Sequence, residues 1–258
     1  MGILNVTPDS FYDGGKYKSD KALLLQVEKM LNEGATFIDV GAYSSRPGAD
    51  DISIEEEKKR LLPVLNLLTA HFGHDILMSV DTFRSDIAEF AIQNGAALIN
   101  DISGGTLDHK MFDVISKYKV PYIMMHMKGT PQNMKSLAKY DDVVLEVKQY
   151  FSDRLKIARE KGISDIVIDP GFGFAKNIAH NFELLYKFEL FKTFDLPVLC
   201  GISRKSMIYK TLGVESKDAL NGTTALHSIA LSKGANILRV HDVKEAKECI
   251  VLNNALFR

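Results

Sequence analysis

Cysteine is scarce: Cys200 and Cys249 are the only two in 258 residues. Two thiols exclude a disulfide-built scaffold, and they lack the spacing of a metal site, so a reducing cytoplasm is expected. Charge of one sign is lacking too. Lys and Arg number 32 against 33 Asp and Glu, which leaves no electrostatic footprint for nucleic acid or a membrane surface. A locally basic pocket for a small anion stays open. No apolar run approaches the ~18 residues of a membrane span. The opening MGILNVTPDS has neither the basic nor the long apolar stretch of a secretory signal. The P-loop, the H-E-x-x-H helix and the G-x-S-x-G turn are absent, which disfavours nucleotide kinases, zinc proteases and serine hydrolases.

What is there is ordinary in bulk and patterned in detail. Hydrophobic residues make up 46% and charged residues 25%, values of a globular protein. One arrangement recurs: a helical stretch ends in Gly, and a short apolar run follows. Gly34 precedes FIDV, Gly95 precedes ALIND, Gly162 precedes DIVID and Gly234 precedes NILRV. Glycine suits a left-handed helix C-cap, and a continuous apolar run suits a strand buried on both faces. The same reading predicts strands at 1–5, 36–40, 76–80, 97–100, 121–125, 165–168, 197–200 and 236–239. Helices are predicted near 20–33, 54–70, 85–94, 108–118, 141–161, 178–191, 217–233 and 243–254. Eight such units predict a single-domain (β/α)8 barrel over residues 1–258. A doubly wound open sheet is the alternative, but GILNVTPDS carries no G-x-G-x-x-G.

A barrel of this kind does its chemistry at the C-terminal ends of the strands. Polar residues gather there: Asn5, Asp39, Asp81, Asn100 with Asp101, His126 after Met125, Asp169, the Ser203-Arg204-Lys205 run, Arg239 and His241. Asp81, Asn100 and Asp169 supply acceptors and one amide donor, which suits a flat heterocycle bearing amino and ring N–H groups. Lys205, Arg239, His241 and Asn5 supply donors, which suits phosphate. Asp39 and Asp101 are as well suited to capping loops or supporting the residues around them as to a direct part in function. In Pro170-Gly171-Phe172-Gly173-Phe174, one ring is expected to face outward. His126 reads equally as a satisfied buried histidine and is left out of the candidate set.

The motifs MGILNVTPDSFYDGG, FIDVGAYSSRPGA, SVDTFR, LINDISGG, MMHMKGTP, DPGFGF, GISRKSM and RVHDV occur in the order found in the dihydropteroate synthase family. The chain resembles that family over essentially its whole length. The resemblance implies a transferase that joins p-aminobenzoate to 6-hydroxymethyl-7,8-dihydropterin diphosphate. Diphosphate would leave and 7,8-dihydropteroate form, by a dissociative route. It also implies Mg2+ carried with the diphosphate, a homodimer, and sulfonamides competing for the aminobenzoate position.

Carried over residue by residue, the resemblance places Asp81, Asn100, Asp169 and Lys205 around the pterin ring, with Met125 packed on it and Arg239 stacked on the other side. Catalysis would rest on Asp81, Asp169, Lys205 and Arg239. The diphosphate would meet Asn5, Arg239 and His241, with Asn5 near the metal. The aminobenzoate would lie against Phe11, Ser45, Pro47, Phe174 and Ser206. Loops 6–19 and 42–52, which also hold Thr7, Asp9, Ser44 and Arg46, are expected to close as lids. The second loop reads GAYSSRPGA where many members have GGESTRPGA, so Ala42, Tyr43 and Ser45 are departures. A pterin-dependent methyltransferase and a non-catalytic pterin-binding protein are the competing readings; Lys205, Arg239, His241 and TPDSF speak for the synthase.

Overall fold

The computed structural model describes residues 1–6, 16–44 and 51–256. Strands and helices alternate through it. In chain order they are β1 (Gly2–Asn5), α1 (Lys16–Asn32), β2 (Phe37–Gly41), α2 (Ile54–Phe72), β3 (Leu77–Asp81), α3 (Ser85–Gln93), β4 (Leu98–Asp101) and α4 (Met111–Tyr118). The second half comprises β5 (Tyr122–Met125), α5 (Val143–Glu160), β6 (Ile166–Asp169), α6 (Ile178–Tyr186), β7 (Leu199–Cys200), α7 (Ser206–Leu212), α8 (Leu220–Ser232), β8 (Ile237–Leu238) and α9 (Val243–Leu256).

Strands β1 to β6 pair in sequence order, all parallel, and β7 pairs with β8. Two bridges close the ring. Ile168 pairs with Val198, and Gly2 pairs with Val240, whose carbonyl accepts from Ile3 N–H at 2.9 Å. The result is the (β/α)8 barrel that the alternation predicts.

Local signals explain most boundaries. Gly34, Gly95, Gly162 and Gly234 all have positive φ, between 76° and 100°, so the recurring helix-end glycine is a conformational requirement. Ser53 caps α2 by accepting Glu56 N–H at 3.1 Å, and Glu55, Glu56 and Glu57 fill its first turn, where the helix dipole favours anions. Asp142 caps α5 by accepting from Val144 and Leu145 N–H, both at 2.9 Å. The buried stripe of α5 is Val143, Val144, Val147, Phe151, Leu155 and Ala158; Ile157, which the spacing also suggests, faces solvent. Asn177 and His180 form a capping box on α6.

Several boundaries differ from the sequence expectation, and the first helix already starts at Lys16, inside the loop expected over 6–19. Predicted strands 197–200 and 236–239 shrink to two residues each. Pro197 has no N–H to give, and the Asn236 side chain accepts the Val198 N–H at 2.9 Å in place of a ladder carbonyl. The predicted helix 108–118 begins only at Met111, because Asp108 accepts from Ser85 N–H (2.7 Å) and Lys110 N–H (3.0 Å) instead. The predicted helix 178–191 stops at Tyr186 and gives way to a 3-10 turn, Phe188–Phe194. After β7 there are two α-helices where one was predicted. α7 ends at Gly213, φ +67°, and a 3-10 turn, Ser216–Asp218, leads to α8.

Period-two alternation sorts the strand residues into two populations. One, including Leu4, Ile38, Val40, Met78, Val80, Ile99, Tyr122, Met124, Ile166 and Ile168, joins the main apolar cluster with the helices. The other points into the barrel. Leu98, Ile123 and Leu199, with Phe37, Val167 and Ile237, form a separate apolar plug. One step further along each of those strands comes Asp39, Asn100, Met125, Asp169, Gly201 or Arg239. A mostly polar layer therefore caps an apolar one at the C-terminal mouth.

Candidate active site

The polar layer is organised around Arg239. Its Nε donates to Asp39 Oδ2 at 2.6 Å and its Nη2 to Asp81 Oδ2 at 2.8 Å. Asp39 Oδ2 also accepts from Asn100 Nδ2 at 3.0 Å. One guanidinium thus bridges β2 and β3 across the barrel mouth, and one buried carboxylate fixes both the guanidinium and the Asn100 amide. Asp39 Oδ1 and Ser79 Oγ are buried without a protein partner, so the floor retains unsatisfied polarity. Burial pushes the Asp81 carboxyl up to about 7; Arg239 pulls it down and Asp39 pushes it up again.

Asp169 faces this group from β6. Its Oδ1 accepts the Gly171 N–H at 2.8 Å. Burial raises its carboxyl, and Lys205 opposes that rise most strongly. A side chain placed on Gly201 would lie 3.9 Å from both Asp169 Oδ2 and Lys205 Nζ; the missing Cβ leaves room for a ligand between acid and base. Lys205 Nζ donates to Phe172 O and sits 4.9 Å from the centre of the Phe174 ring. Burial draws the Lys205 ammonium down to about 8, against the pull of Asp169. Phe172 is fully buried and stacked on Phe188, whereas Phe174 is partly exposed. One ring faces inward and one outward, as the sequence suggests.

The strand ends of β7 and β8 form the donor side, where burial and then Arg239 draw the His241 imidazole down to about 4, leaving it a neutral donor. Ser203 Oγ lies 3.0 Å from His241 Nδ1 and accepts the His241 N–H at 3.2 Å. Arg204 makes a two-pronged pair with Asp242, Nε to Oδ2 at 2.7 Å and Nη2 to Oδ1 at 2.8 Å. Its Nη1 reaches the Ser216 carbonyl at 3.1 Å. Arg204 is therefore a loop tie, and Lys205 is the cation of that pair which faces the mouth. Asn5 and Asp81 both border Gly41. A Cβ there would fall 3.8 Å from Asn5 Oδ1 and 3.9 Å from Asp81 Oδ2.

Apolar residues complete the rim. Met125 is 3% exposed and clusters with Ile102, Met127, Met134 and Ala175, against Phe83, Leu107 and Phe174. Ser206 opens α7 beside Lys205 and is half-buried. Tyr43 is buried on the rim; Gln132 Nε2 donates to its hydroxyl at 2.8 Å and Phe83 meets its ring edge-on at 5.0 Å. Phe11, Ser45 and Pro47, with Thr7, Asp9, Arg46 and most of the two expected lids, lie outside the described residues.

The structure brings Asn5, Asp81, Asn100, Met125, Asp169, Phe174, Lys205, Arg239 and His241 to one mouth. It decides the two open carboxylates. Asp101 is a loop cap, accepting from Ser103 N–H (2.7 Å), Ser103 Oγ (2.8 Å), Gly105 N–H (2.8 Å) and Tyr122 Oη (2.7 Å). Asp39 belongs to the site as the anchor of Arg239. Sequence reasoning missed Lys176, although it lies two residues beyond the GFGF loop and is 8% exposed. His126 is buried beside it, with Nδ1 2.8 Å from Lys176 Nζ.

An acid–amide–acid group facing cations at the mouth of a parallel barrel defines a (β/α)8 protein built to hold a polar heterocycle with an anionic arm. The family described as pterin binding enzyme matches residues 1–241, and the chain belongs to it, among the dihydropteroate synthases. The dihydropteroate synthase of Escherichia coli (strain K12) is 42% identical over 252 residues, covering 97% of this chain and 88% of the relative. A Yersinia pestis dihydropteroate synthase in complex with a sulfonamide drug superposes with a TM-score of 0.91 at 40% identity, covering 99% of this chain and 92% of that one. A Clostridium difficile dihydropteroate synthase crystallised in the presence of pteroic acid gives 0.93 at 37% identity, covering 100% and 95%.

Proposed function

We propose that the chain, as one barrel domain, condenses 6-hydroxymethyl-7,8-dihydropterin diphosphate with p-aminobenzoate, releasing diphosphate and forming 7,8-dihydropteroate for folate synthesis. The observation that carries this is the single mouth in which Asp81, Asn100 and Asp169 face Lys205 and Arg239. The pteroic acid and the sulfonamide of the two solved relatives support both halves of the pocket.

Asp81, Asn100 and Asp169 bind the ring's amino and N–H groups, Lys205 donates to its acceptor edge, and Met125 and Arg239 lie on its two faces. The C–O bond to diphosphate breaks first, the electron pair leaving with the diphosphate. The methylene cation that remains is delocalised into the electron-rich ring, and the ionised carboxylates of Asp81 and Asp169 stabilise it. The neutral amine of p-aminobenzoate attacks and then loses a proton, which needs no strong base at the site. Phe174 and Ser206, with Phe11, Ser45 and Pro47, line the acceptor side. Loops 6–19 and 42–52 keep water from the cation. His241, oriented by Ser203, and Arg239 bind the departing anion.

Among the described residues no group of three His, Cys, Asp or Glu side chains gathers to hold a metal ion. The Asn5 amide oxygen beside Asp81 is a sparser donor set. It fits Mg2+, which takes one or two protein ligands along with phosphate oxygens and water. Asn5 would hold the ion on the diphosphate, and the ion would supply charge neutralisation there.

Among the described residues no helix is long and apolar enough to cross a membrane, and both cysteines are free and buried; this supports a cytoplasmic enzyme. The exposed apolar side chains Ile229 on α8 and Val251, Leu252 and Leu256 on the adjoining α9 support a homodimer. The test of function is direct. Protein, Mg2+, pterin diphosphate and labelled p-aminobenzoate should yield labelled dihydropteroate, and omitting Mg2+ should suppress it. Absence of labelled product at any Mg2+ concentration would contradict the reading.

A further inference from the structure

Lys176 is a buried lysine that the reaction above does not use. Its Nζ donates to the carbonyls of Gly171 and Phe174, both at 3.0 Å. It also shares a hydrogen bond with His126 Nδ1 at 2.8 Å and reaches His126 O at 3.4 Å. These partners are carbonyls and an imidazole, not a carboxylate. Burial holds the Lys176 ammonium well below its ordinary range, with Asp169 pulling the other way. Placing a lysine there is costly, and the hydrogen bonds it makes to the loop are what offset the cost.

The loop it grips bends sharply, and its Gly173 N–H donates to Asn181 Oδ1 at 2.7 Å. Gly171 and Gly173 have φ of 73° and 82°, and Ala175, which carries a Cβ, has φ of 49°. Within the loop, Phe174 N–H reaches Gly171 O at 3.1 Å, so that carbonyl accepts from the loop and from Lys176 together. Lys205 approaches from the pocket side, donating to Phe172 O and lying over the Phe174 ring. Two lysines therefore grip three carbonyls of one short segment, Lys176 at 171 and 174 and Lys205 at 172. The inner lysine is itself tied to β5. The His126 ring meets Tyr150 edge-on at 4.8 Å, and the Tyr150 hydroxyl lies 2.6 Å from Ser103 O and 3.0 Å from Met125 O.

The two grips differ in what else they can serve. Among the described residues Lys205 Nζ hydrogen-bonds Phe172 O alone and keeps N–H donors for a pterin, whereas Lys176 gives its donors to Gly171 O, Phe174 O and His126 Nδ1. We propose that Lys176 is a positioning residue for the amine acceptor: through the Gly171 and Phe174 carbonyls it keeps the Phe174 ring on the aminobenzoate side while Lys205 turns to the pterin. The Asp169 backbone is held in the ladder with β5 and its carboxylate touches the loop only at the Gly171 N–H, so the two substrates feel Lys176 unequally. This rests on the synthase reading above.

The test uses Lys176→Met, which keeps the bulk and removes the donors, and Lys176→Gln, which keeps one shorter donor. With the Met variant, the KM for p-aminobenzoate should rise about tenfold and that for pterin diphosphate by less than about twofold, as expected for a small displacement of one wall. Amide exchange of residues 172–175 should quicken by about tenfold while Ile166–Asp169 stay protected. The Gln variant should fall between. Equal rises in both KM values, or unchanged exchange in the loop, would overturn the proposal. So would loss of protection throughout the barrel in both variants, which would make Lys176 a general prop. A wild-type protein without turnover would sink the synthase reading alone, because the exchange measurement still decides whether Lys176 holds the loop.

Discussion

Asp81 shares its guanidinium partner, Arg239, with Asp39. Replacing it with Asn keeps the shape and one acceptor but removes the charge that faces the developing cation. Asp81→Asn is expected to lower turnover by roughly two to three orders of magnitude, the usual loss for a group aimed at transition-state charge. Circular dichroism should show the barrel intact. Near-normal diphosphate release would refute the charge assignment.

The same carboxyl carries a pH prediction. Its pKa in the free protein is raised to about 7, so part of the population is protonated at and below neutrality. A ligand that donates N–H groups to the carboxylate favours the ionised form and draws that pKa down. Pterin binding should therefore release a proton and weaken as pH falls below about 7. Calorimetry in two buffers of different ionisation enthalpy measures the release. Binding that takes up protons would have the wrong sign. At this scale the sequence was informative where a polar residue ends a strand: Asp81, Asn100 and Asp169 were legible for that reason. Asp39 was ambiguous, because its partner Arg239 is 200 positions away. Lys176 was missed because nothing in GFGFAK says which way the lysine turns.

At the scale of elements, β7 and β8 are two residues long, and side chains do the joining that a longer ladder would do. Arg204 and Asp242 are one such tie, with two parallel charged hydrogen bonds between loops. Arg204→Ala should cost about 1.5–3 kcal/mol, the range for hydrogen bonds to charged groups, measured by urea unfolding. It should also weaken diphosphate binding, since His241 is the neighbour of Asp242. No change in unfolding midpoint would make the tie ornamental. Gly171 makes a sharper case: its φ is 73°, and a Cβ there would run into the His126 carbonyl. Gly171→Ala should cost activity through the Phe174 loop, and wild-type kinetics would contradict that. Strand and helix order was legible from the glycine-then-apolar repeat. The short helix α7 was not, because a seven-residue stretch shows too little periodicity to separate it from the helix that follows.

For the whole molecule, the alternation of apolar and polar inward residues explains why one face reacts. The plug of Leu98, Ile123 and Leu199 closes the barrel below, and the polar layer above it is open to ligand. The helical shell leaves Leu252 and Leu256 at 71% and 75% exposed on α9, apolar surface that the proposed homodimer would cover. Sedimentation should find a dimer, and Leu252→Glu with Leu256→Glu should shift it to monomer. A wild-type monomer at all concentrations would remove the dimer from the account. Barrel class was legible in the sequence because eight units repeat; the closing bridges at Ile168–Val198 and Gly2–Val240 were not, because single pairings leave no pattern.

The central claim is that one mouth holds the ring by its acids while cations take the anionic arm, and a crystal structure with a pterin diphosphate analogue bound tests it most directly. The ring should lie between Met125 and Arg239, hydrogen-bonded to Asp81, Asn100 and Asp169, with the phosphates near Asn5 and His241. A ring seated anywhere else, with those three side chains still bound only to the protein, would contradict it.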